Sequence, residues 1–473
     1  MAHYERLSAL DASFLDIEDT NSHMHVAAAL LFESGPLLRP HGGLDMERVR
    51  AYVASRLHLI PRYRQRLAYV PVERHPVWVD DERFNVFYHV RHTALPRPGA
   101  ERQLKRLCGR IMSQKLDPTK PLWEIWVVEG LADGTFALIA KVHHCMVDGI
   151  SGIDLLGVLL SPAADAGLQA GPRWVPRPVP GARELLVAEL RRRARLPLEL
   201  LDLGRRALRD PGGAVTGLWE GVQGVAEVVR GTSVPASATP LNPPRIGPHR
   251  RFDWLRMDLD VVKSVKARLG GTVNDVVLAT VAGGFRRFLT TRGVCVDGID
   301  FRAMVPVSLR RDEERGRLGN RVSQMVVPLP VGEPDVRRRH RAVLETTRAV
   351  KSSHQARGGE LLEELGNWTA TGLLSQVFRL AAWSRPFNVV VTNVPGPPLP
   401  LYLLGAPMKA PFPMVPLFTN QAVGIALFSY AGGLYWGVSA DWDEVPDLHD
   451  LVGALDDAFR ELVQEAERAA SAA

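Results

Sequence analysis

A chain of 473 residues that is 46% hydrophobic and 23% charged has the composition of a packed globular protein. This excludes intrinsic disorder, and the length fits two domains of about 200 residues better than one core. The net charge of +6 comes mostly from arginines dispersed through helix-like segments. No aromatic-basic RNA motif or zinc finger accompanies them, which argues against nucleic acid and leaves a weak attraction to anionic lipid. Three scattered cysteines, Cys108, Cys145 and Cys295, lack CxxC spacing and offer neither a disulfide framework nor a zinc site. The opening "MAHYERLSALDASFLDIEDT" is acidic where a signal peptide needs an apolar core, and no uncharged apolar run reaches about 18 residues. The expectation is a protein of the reducing cytoplasm that neither enters a secretory route nor spans a membrane.

In chain order, "MHVAAALLFE", "MERVRAYVASRLHLI", "QLKRLCGRIMSQKL", "WEIWVVEG" and "TFALIAKV" alternate strand and helix periodicities, an α/β pattern that runs to about residue 160. The segment "GPRWVPRPVPGA" is loop-like. "RELLVAELRRRARLPLELLDLGRRALRD" follows as a basic amphipathic helix, with Pro197 starting or kinking a helix within it, and "TSVPASATPLNPPRIGPHR" is a second loose stretch. That helix has two readings. Its leucines pack on the domains and its arginines face water, or it lies in a lipid interface with arginines near anionic headgroups. From "RFDWLRMDLDVVKSVKARLG" the alternation resumes through "RAMVPVSL", "VSQMVVPLP", "FNVVVTNVPGP" and the hairpin "ALFSYAGGLYWGVSA", ending on the helix "DLHDLVGALDDAFRELVQEAERAA". These shifts place boundaries at 1–180, 181–250 and 251–473, with the middle segment a linker.

Chemistry concentrates in "HHCMVDG", at residues 143–149, where the buried strand "TFALIAKV" ends. A metal site is a poor fit, because adjacent residues of an extended strand point to opposite faces and His143 and His144 cannot both reach one ion. A histidine and an aspartate at a strand end also satisfy backbone groups as plain structure. The third reading makes one imidazole a general base, since its ordinary pKa lies close to working pH, and makes Asp148 an organiser of the turn. Further on, "TVND" is an ordinary helix start with capping side chains, including Asn274 and Asp275. "PLW" (Pro121, Leu122, Trp123) reads as a strand entry with a packed tryptophan. "TNVPGP" places Asn393 before a rigid proline-glycine turn.

The motif HHxxxDG in "HHCMVDG" resembles that of the CoA-dependent acyltransferases and of the condensation domains of non-ribosomal peptide synthetases. "LSALDASFL", "HMHV", "PLWEIWVVEGL", "TVNDVVLA", "VPVSLR" with "GNRVS", and "TNVPGP" occur in an order that is similar to the bacterial wax ester synthase/acyl-CoA:diacylglycerol acyltransferase family over nearly the whole chain.

The resemblance implies two chloramphenicol-acetyltransferase-like α/β domains, a pseudo-duplicated fold with an active-site tunnel between them. It implies His144 as general base, His143 as buried support on the opposite face, and Asp148 as a structural holder of the loop. Asn274 and Asp275 face the histidine across the tunnel in that pattern, with Gly149 and Asn393 as further substrate or oxyanion contacts. Pro121, Leu122 and Trp123 then form a channel wall. Acyl-CoA is a substrate; no cofactor and no metal are expected. The implied reaction moves a long-chain acyl group from CoA to diacylglycerol, or to a fatty alcohol, at the inner membrane face or a lipid-droplet surface. Two rivals remain: a condensation enzyme using a carrier-protein thioester and an amine, and a catalytically silent lipid-droplet-binding protein. The DFGWG-like element of many relatives in the superfamily is absent, and only "DWDEV" stands at 441–445.

Overall fold

The computed structural model describes residues 3–146, 154–164, 171–192, 194, 234–308, 322–352 and 385–471. Its strands in chain order are β1 (Glu5–Arg6), β2 (His25–Glu33), β3 (Gln65–Tyr69), β4 (Pro76–Asp80), β5 (Val90–Ala94), β6 (Trp123–Glu129), β7 (Thr135–His143) and β8 (Arg250–Asp258). The later strands are β9 (Phe301–Ser308), β10 (Val322–Leu329), β11 (Val389–Pro395), β12 (Tyr402–Leu403), β13 (Ala406–Met414), β14 (Val423–Tyr430) and β15 (Gly433–Asp441). They form two six-stranded sheets, β12-β13-β2-β7-β6-β5 and β10-β9-β11-β14-β15-β8, and a small sheet β1-β4-β3.

The first sheet is built around β7, whose nine residues are all buried. A near-continuous apolar run suits a strand covered on both faces. Its two ionisable members, Lys141 and His143, therefore need partners inside the protein. Lys141 Nζ donates to the carbonyls of Ile111 (2.9 Å) and Gln114 (2.8 Å) and pairs with Glu124 Oε1 on β6 at 2.7 Å. The first two contacts cap the C-terminal end of the helix Glu101–Ser113, where exposed carbonyls favour a cation. That helix buries Leu104, Cys108, Ile111 and Met112 on one face. Gly109 lies on the same face because a Cβ there would stand 2.4 Å from the Arg250 carbonyl oxygen of β8. The first domain thus touches the entry to the second sheet without a side chain in between.

In the second sheet, β14 and β15 form the expected hairpin. Tyr430 faces Gly433, and the two loop residues Ala431 (φ 43°) and Gly432 (φ 82°) both take the left-handed conformation that matches strand twist in a two-residue turn. The helix Val273–Thr291 is buried over most of its length and packs on the C-terminal helix Leu448–Ser471. Gly283 and Gly284 make the approach possible: a Cβ would meet Ala458 Cβ at 2.9 Å and Leu455 Cα at 3.1 Å respectively.

The halves are not separate along the chain. Strand β13, from the C-terminal segment, pairs antiparallel with β2, from Met408 opposite Phe32 to Met414 opposite Ala27. It thereby completes the first sheet. Its other side rests on the second: Phe412 stacks on Trp254 at 4.6 Å, and Tyr435 Oη donates to the Lys409 carbonyl. The three prolines of β13 hide it in the sequence; Pro411 and Pro413 are tolerated because that part of the strand runs along a sheet edge.

The buried Lys141 pair yields a stability prediction. Lys141→Met leaves Glu124 buried with Arg91 (3.3 Å) as its one ion-pair partner among the described residues. The expected loss is about 3–5 kcal/mol in urea unfolding, and a change below about 1 kcal/mol would contradict the assignment of a charged, paired Lys141.

Candidate active site

Strand β7 ends at His143, and residues His144–Met146 turn away as a short 3-10 segment. Asp148 and Gly149 lie outside the described residues. The backbone of the dyad is fixed on both sides. His143 N–H donates to the Leu122 carbonyl (2.9 Å), and His144 N–H donates to the Met24 carbonyl (2.7 Å). On the next strand His25 faces His143 directly.

The two imidazoles have different surroundings. His143 is buried. Its Nδ1 accepts the Cys145 N–H at 3.1 Å, and its Nε2 stands 3.1 Å from Glu18 Oε1. His144 is half-buried and stacks on Phe14, with ring centroids 3.9 Å apart at 29°. Phe14 belongs to the helix Ala9–Asp16, started by Ser8, whose Oγ accepts the Asp11 N–H. The His144 Nδ1 has no hydrogen-bond partner among the described residues. Burial, aided by the neighbouring His143, lowers its pKa to about 4. At neutral pH it is an uncharged imidazole, able to accept a proton.

Cys145 follows His144 and invites a covalent reading. Burial pushes its thiol well above the ordinary range, so the thiolate that a nucleophile needs is not formed. Among the described residues no group of three or more His, Cys, Asp and Glu side chains is placed to hold a metal ion.

The remaining sequence candidates divide. Pro121, Leu122 and Trp123 are buried. Trp123 is fully enclosed, stacks on His89 at 4.5 Å and donates from Nε1 to the Tyr63 carbonyl. The structure thus gives Trp123 the packed position, while Leu122 holds the dyad through its carbonyl. Asp275 sits in a capping box: its Oδ2 accepts from Thr272 N–H (2.7 Å) and Thr272 Oγ1 (2.7 Å), and its Oδ1 accepts from Thr347 (2.8 Å). Oδ2 serves the helix start, and Oδ1 ties it to the helix Val336–Ser352. Asn274, one residue earlier, is half-buried, and the hydrogen bonds of the described residues do not join it to the histidines. Asn393 is half-buried near the end of β11.

A narrow crevice of about 10 Å³, room for little more than one water, lies on the seam between the halves, lined by residues that include His23 and Met112 from the first and Arg250, Phe252, Leu417 and Ser439 from the second. Ser439 Oγ and His23 Nδ1 are buried without partners among the described residues. Glu18, Met24, Phe14 and His25 had no assigned role in the sequence reading. They lie within or beside "LSALDASFL" and "HMHV", but nothing in spacing alone pairs them with residues 143 and 144.

Two α/β sheets with a histidine pair ending a buried strand define a fold of the chloramphenicol-acetyltransferase and condensation type. The fold matches trichothecene 15-O-acetyltransferase from Fusarium sporotrichioides with a TM-score of 0.59 at 14% identity, over 97% of this chain and 94% of that one. It matches the wax ester synthase/diacylglycerol acyltransferase from Marinobacter aquaeolei VT8 with a TM-score of 0.67 at 26% identity, over 98% and 100%. A probable diacylglycerol O-acyltransferase of Mycobacterium tuberculosis is 34% identical over 472 residues, 98% of this chain and 96% of the relative. The wax ester synthase/diacylglycerol acyltransferase catalytic domain family matches residues 7–277, and the C-terminal domain of the same family matches 318–463. The chain belongs to the wax ester synthase/diacylglycerol acyltransferase family and is an acyltransferase.

Stability should follow the buried imidazoles. His75, His89 and His144 each fall from 6.5 to about 4, burial being the first cause. The unfolded chain therefore takes up protons near 6.5 that the folded chain refuses until about 4. Folded stability is full above that window and drains through it as pH falls. Calorimetry should show Tm falling between pH 6.5 and 4, and a Tm that rises in that interval would contradict the buried neutral state.

Proposed function

We propose that the chain transfers a long-chain acyl group from CoA to the free hydroxyl of diacylglycerol, giving triacylglycerol, and that the same site esterifies long-chain fatty alcohols. One observation carries this reading: an uncharged, half-buried imidazole, His144, held by its backbone at the end of a buried strand and stacked on Phe14. The names of the relatives supply the substrate class.

In this mechanism His144 accepts the hydroxyl proton as the alcohol oxygen attacks the thioester carbonyl. The C–O bond forms, the C–S bond breaks, and the imidazolium returns the proton to the CoA thiolate. Acyl-CoA and alcohol balance the reaction by themselves, so no cofactor enters. Because the Cys145 thiol stays protonated, transfer is direct and no acyl-cysteine forms. Asp148 is assigned to the loop that holds His144, and Gly149, Asn274 and Asn393 to contacts with the reacting groups. The low basicity of His144 means that turnover depends on groups that stabilise charge only as the proton moves. His144→Ala should lower acyl transfer on the order of a hundredfold or more without unfolding the protein. Product lipids from labelled palmitoyl-CoA with diacylglycerol, hexadecanol or an amine are the readout. Near wild-type turnover in the folded variant would overturn the base assignment, and transfer to the amine alone would replace the acceptor.

An insoluble acceptor requires contact with lipid, although no helix among the described residues is long and apolar enough to cross a membrane. Residues 182–192 form a helix whose Leu185 packs with Val70, Val77 and Val79. Leu186, Val187 and Leu190 are exposed, with Arg183 and Arg191 also on the surface. Arg192 is held by Glu189 at 2.6 Å, so it serves packing; residues 195–209 lie outside the described residues. The exposed leucines and surface arginines fit the surface of an anionic bilayer or nascent lipid droplet at the inner membrane face. The double variant Leu186→Glu with Leu190→Glu should float poorly with anionic vesicles while turning over a soluble short-chain alcohol. Undiminished flotation would assign these side chains to the protein surface alone.

A further inference from the structure

Glu18 belongs to none of the roles above, yet its carboxylate meets both the Met24 peptide and the His143 ring, two of the groups that hold the dyad. Its Oε1 accepts the Met24 N–H at 2.8 Å and lies 3.1 Å from His143 Nε2 and 3.9 Å from His25 Nε2. Lys115 Nζ reaches its Oε2 at 3.0 Å. The carboxylate side chain is 5% exposed. Burial alone would raise its pKa, but contact with His143 and Lys115 carries it down to about 2, so the buried group is a full anion.

The geometry closes around His144. The peptide unit that Glu18 holds by its N–H precedes the Met24 carbonyl that receives the His144 N–H. On the other side, the His143 ring that faces Glu18 accepts the Cys145 N–H through Nδ1. Residues 144 and 145 are therefore both tied to the chain, one through Met24 and one through the His143 ring, and both ties converge on one oxygen. An imidazole nitrogen that accepts an N–H carries no proton. The ring proton then belongs on Nε2, which stands 3.1 Å from the carboxylate oxygen without the alignment of a hydrogen bond. Removing Glu18 frees His143 to take the other tautomer, and an Nδ1–H would confront the Cys145 N–H and push the turn away.

We propose that Glu18 is a positioning residue that, through His143 and Met24, fixes the place of the His144 ring for proton transfer. The inference rests on His144 being the base. Lys115 is the counter-charge that keeps the anion inside the fold. His25, kept unprotonated by burial, adds no competing positive charge at the same oxygen.

Steady-state kinetics of Glu18→Ala and Glu18→Gln in the full chain, with nitrogen-15 histidine spectra of the wild type, test this. Displacement of the ring by about 1 Å is expected to cost Glu18→Ala about a hundredfold in kcat, with KM for palmitoyl-CoA unchanged. Glutamine keeps an oxygen for Met24 and His143, so it should recover most of that loss. The His143 spectrum should show a proton on Nε2 and a bare Nδ1. Wild-type kcat in folded Glu18→Ala, equal loss in both variants, or a His143 protonated at Nδ1 would each overturn the proposal. If Glu18→Ala does not fold, the His143 tautomer in the wild type decides. An inactive His144→Ala beside an active Glu18→Ala rejects only the role of Glu18, whereas an active His144→Ala rejects the base itself.

Discussion

A strand enclosed on both faces has no water to which a polar side chain can turn, and β7 carries Lys141 and His143 in that position. Desolvation makes each unpaired polar group there cost several kcal/mol, so the surroundings of the strand are arranged around these two side chains. Lys141 draws in the end of the helix Glu101–Ser113 and a carboxylate from β6. His143, two residues on and therefore on the same face, draws in Glu18. The helix that Lys141 fixes is the one whose Gly109 meets β8. Satisfaction of one buried ammonium thus also sets how the first sheet meets the second.

The same constraint separates the roles of two adjacent histidines. Extended backbone sends their side chains apart, and the turn that begins at residue 144 completes the separation. One ring is absorbed by internal hydrogen bonding. Its neighbour has no partner for its buried Nδ1 among the described residues and is not tied into that internal network. Cys145, two residues past the burial of His143, shows the reverse outcome: a potentially reactive group kept neutral by the packing that orients its neighbour.

Much of this was legible in the sequence because it rests on local rhythm. The buried run "TFALIAKV", the hairpin at Ala431 and Gly432, and the helix start at Thr272 each follow from periodicity or turn chemistry, and the ordered motifs pointed to the family. Long-range partners were not legible. Glu18 reads as one acid in an acidic opening, and only the pairing of β2 with β7 brings "HMHV" to "HH". The hairpin β3–β4 was missed because Val72 and Arg74 adopt positive φ without the glycine or asparagine that announces such a turn. Trp123 had a double reading in "PLW", and its complete burial against His89 and Tyr63 shows the packing side of it.

The pairing of β13 with β2 sets the order in which the molecule can be assembled during synthesis. Emerging from the ribosome, the first sheet has β2 as an open edge throughout the translation of the linker and most of the second half. Such an edge presents unpaired N–H and C=O groups to any passing strand. It is closed only when residues 406–414 emerge, and the strand that closes it must also seat against β15, which is translated later still. The N-terminal half therefore lacks a finished folded state of its own, and its protection against misassociation in the cell falls to chaperones or to the pace of translation.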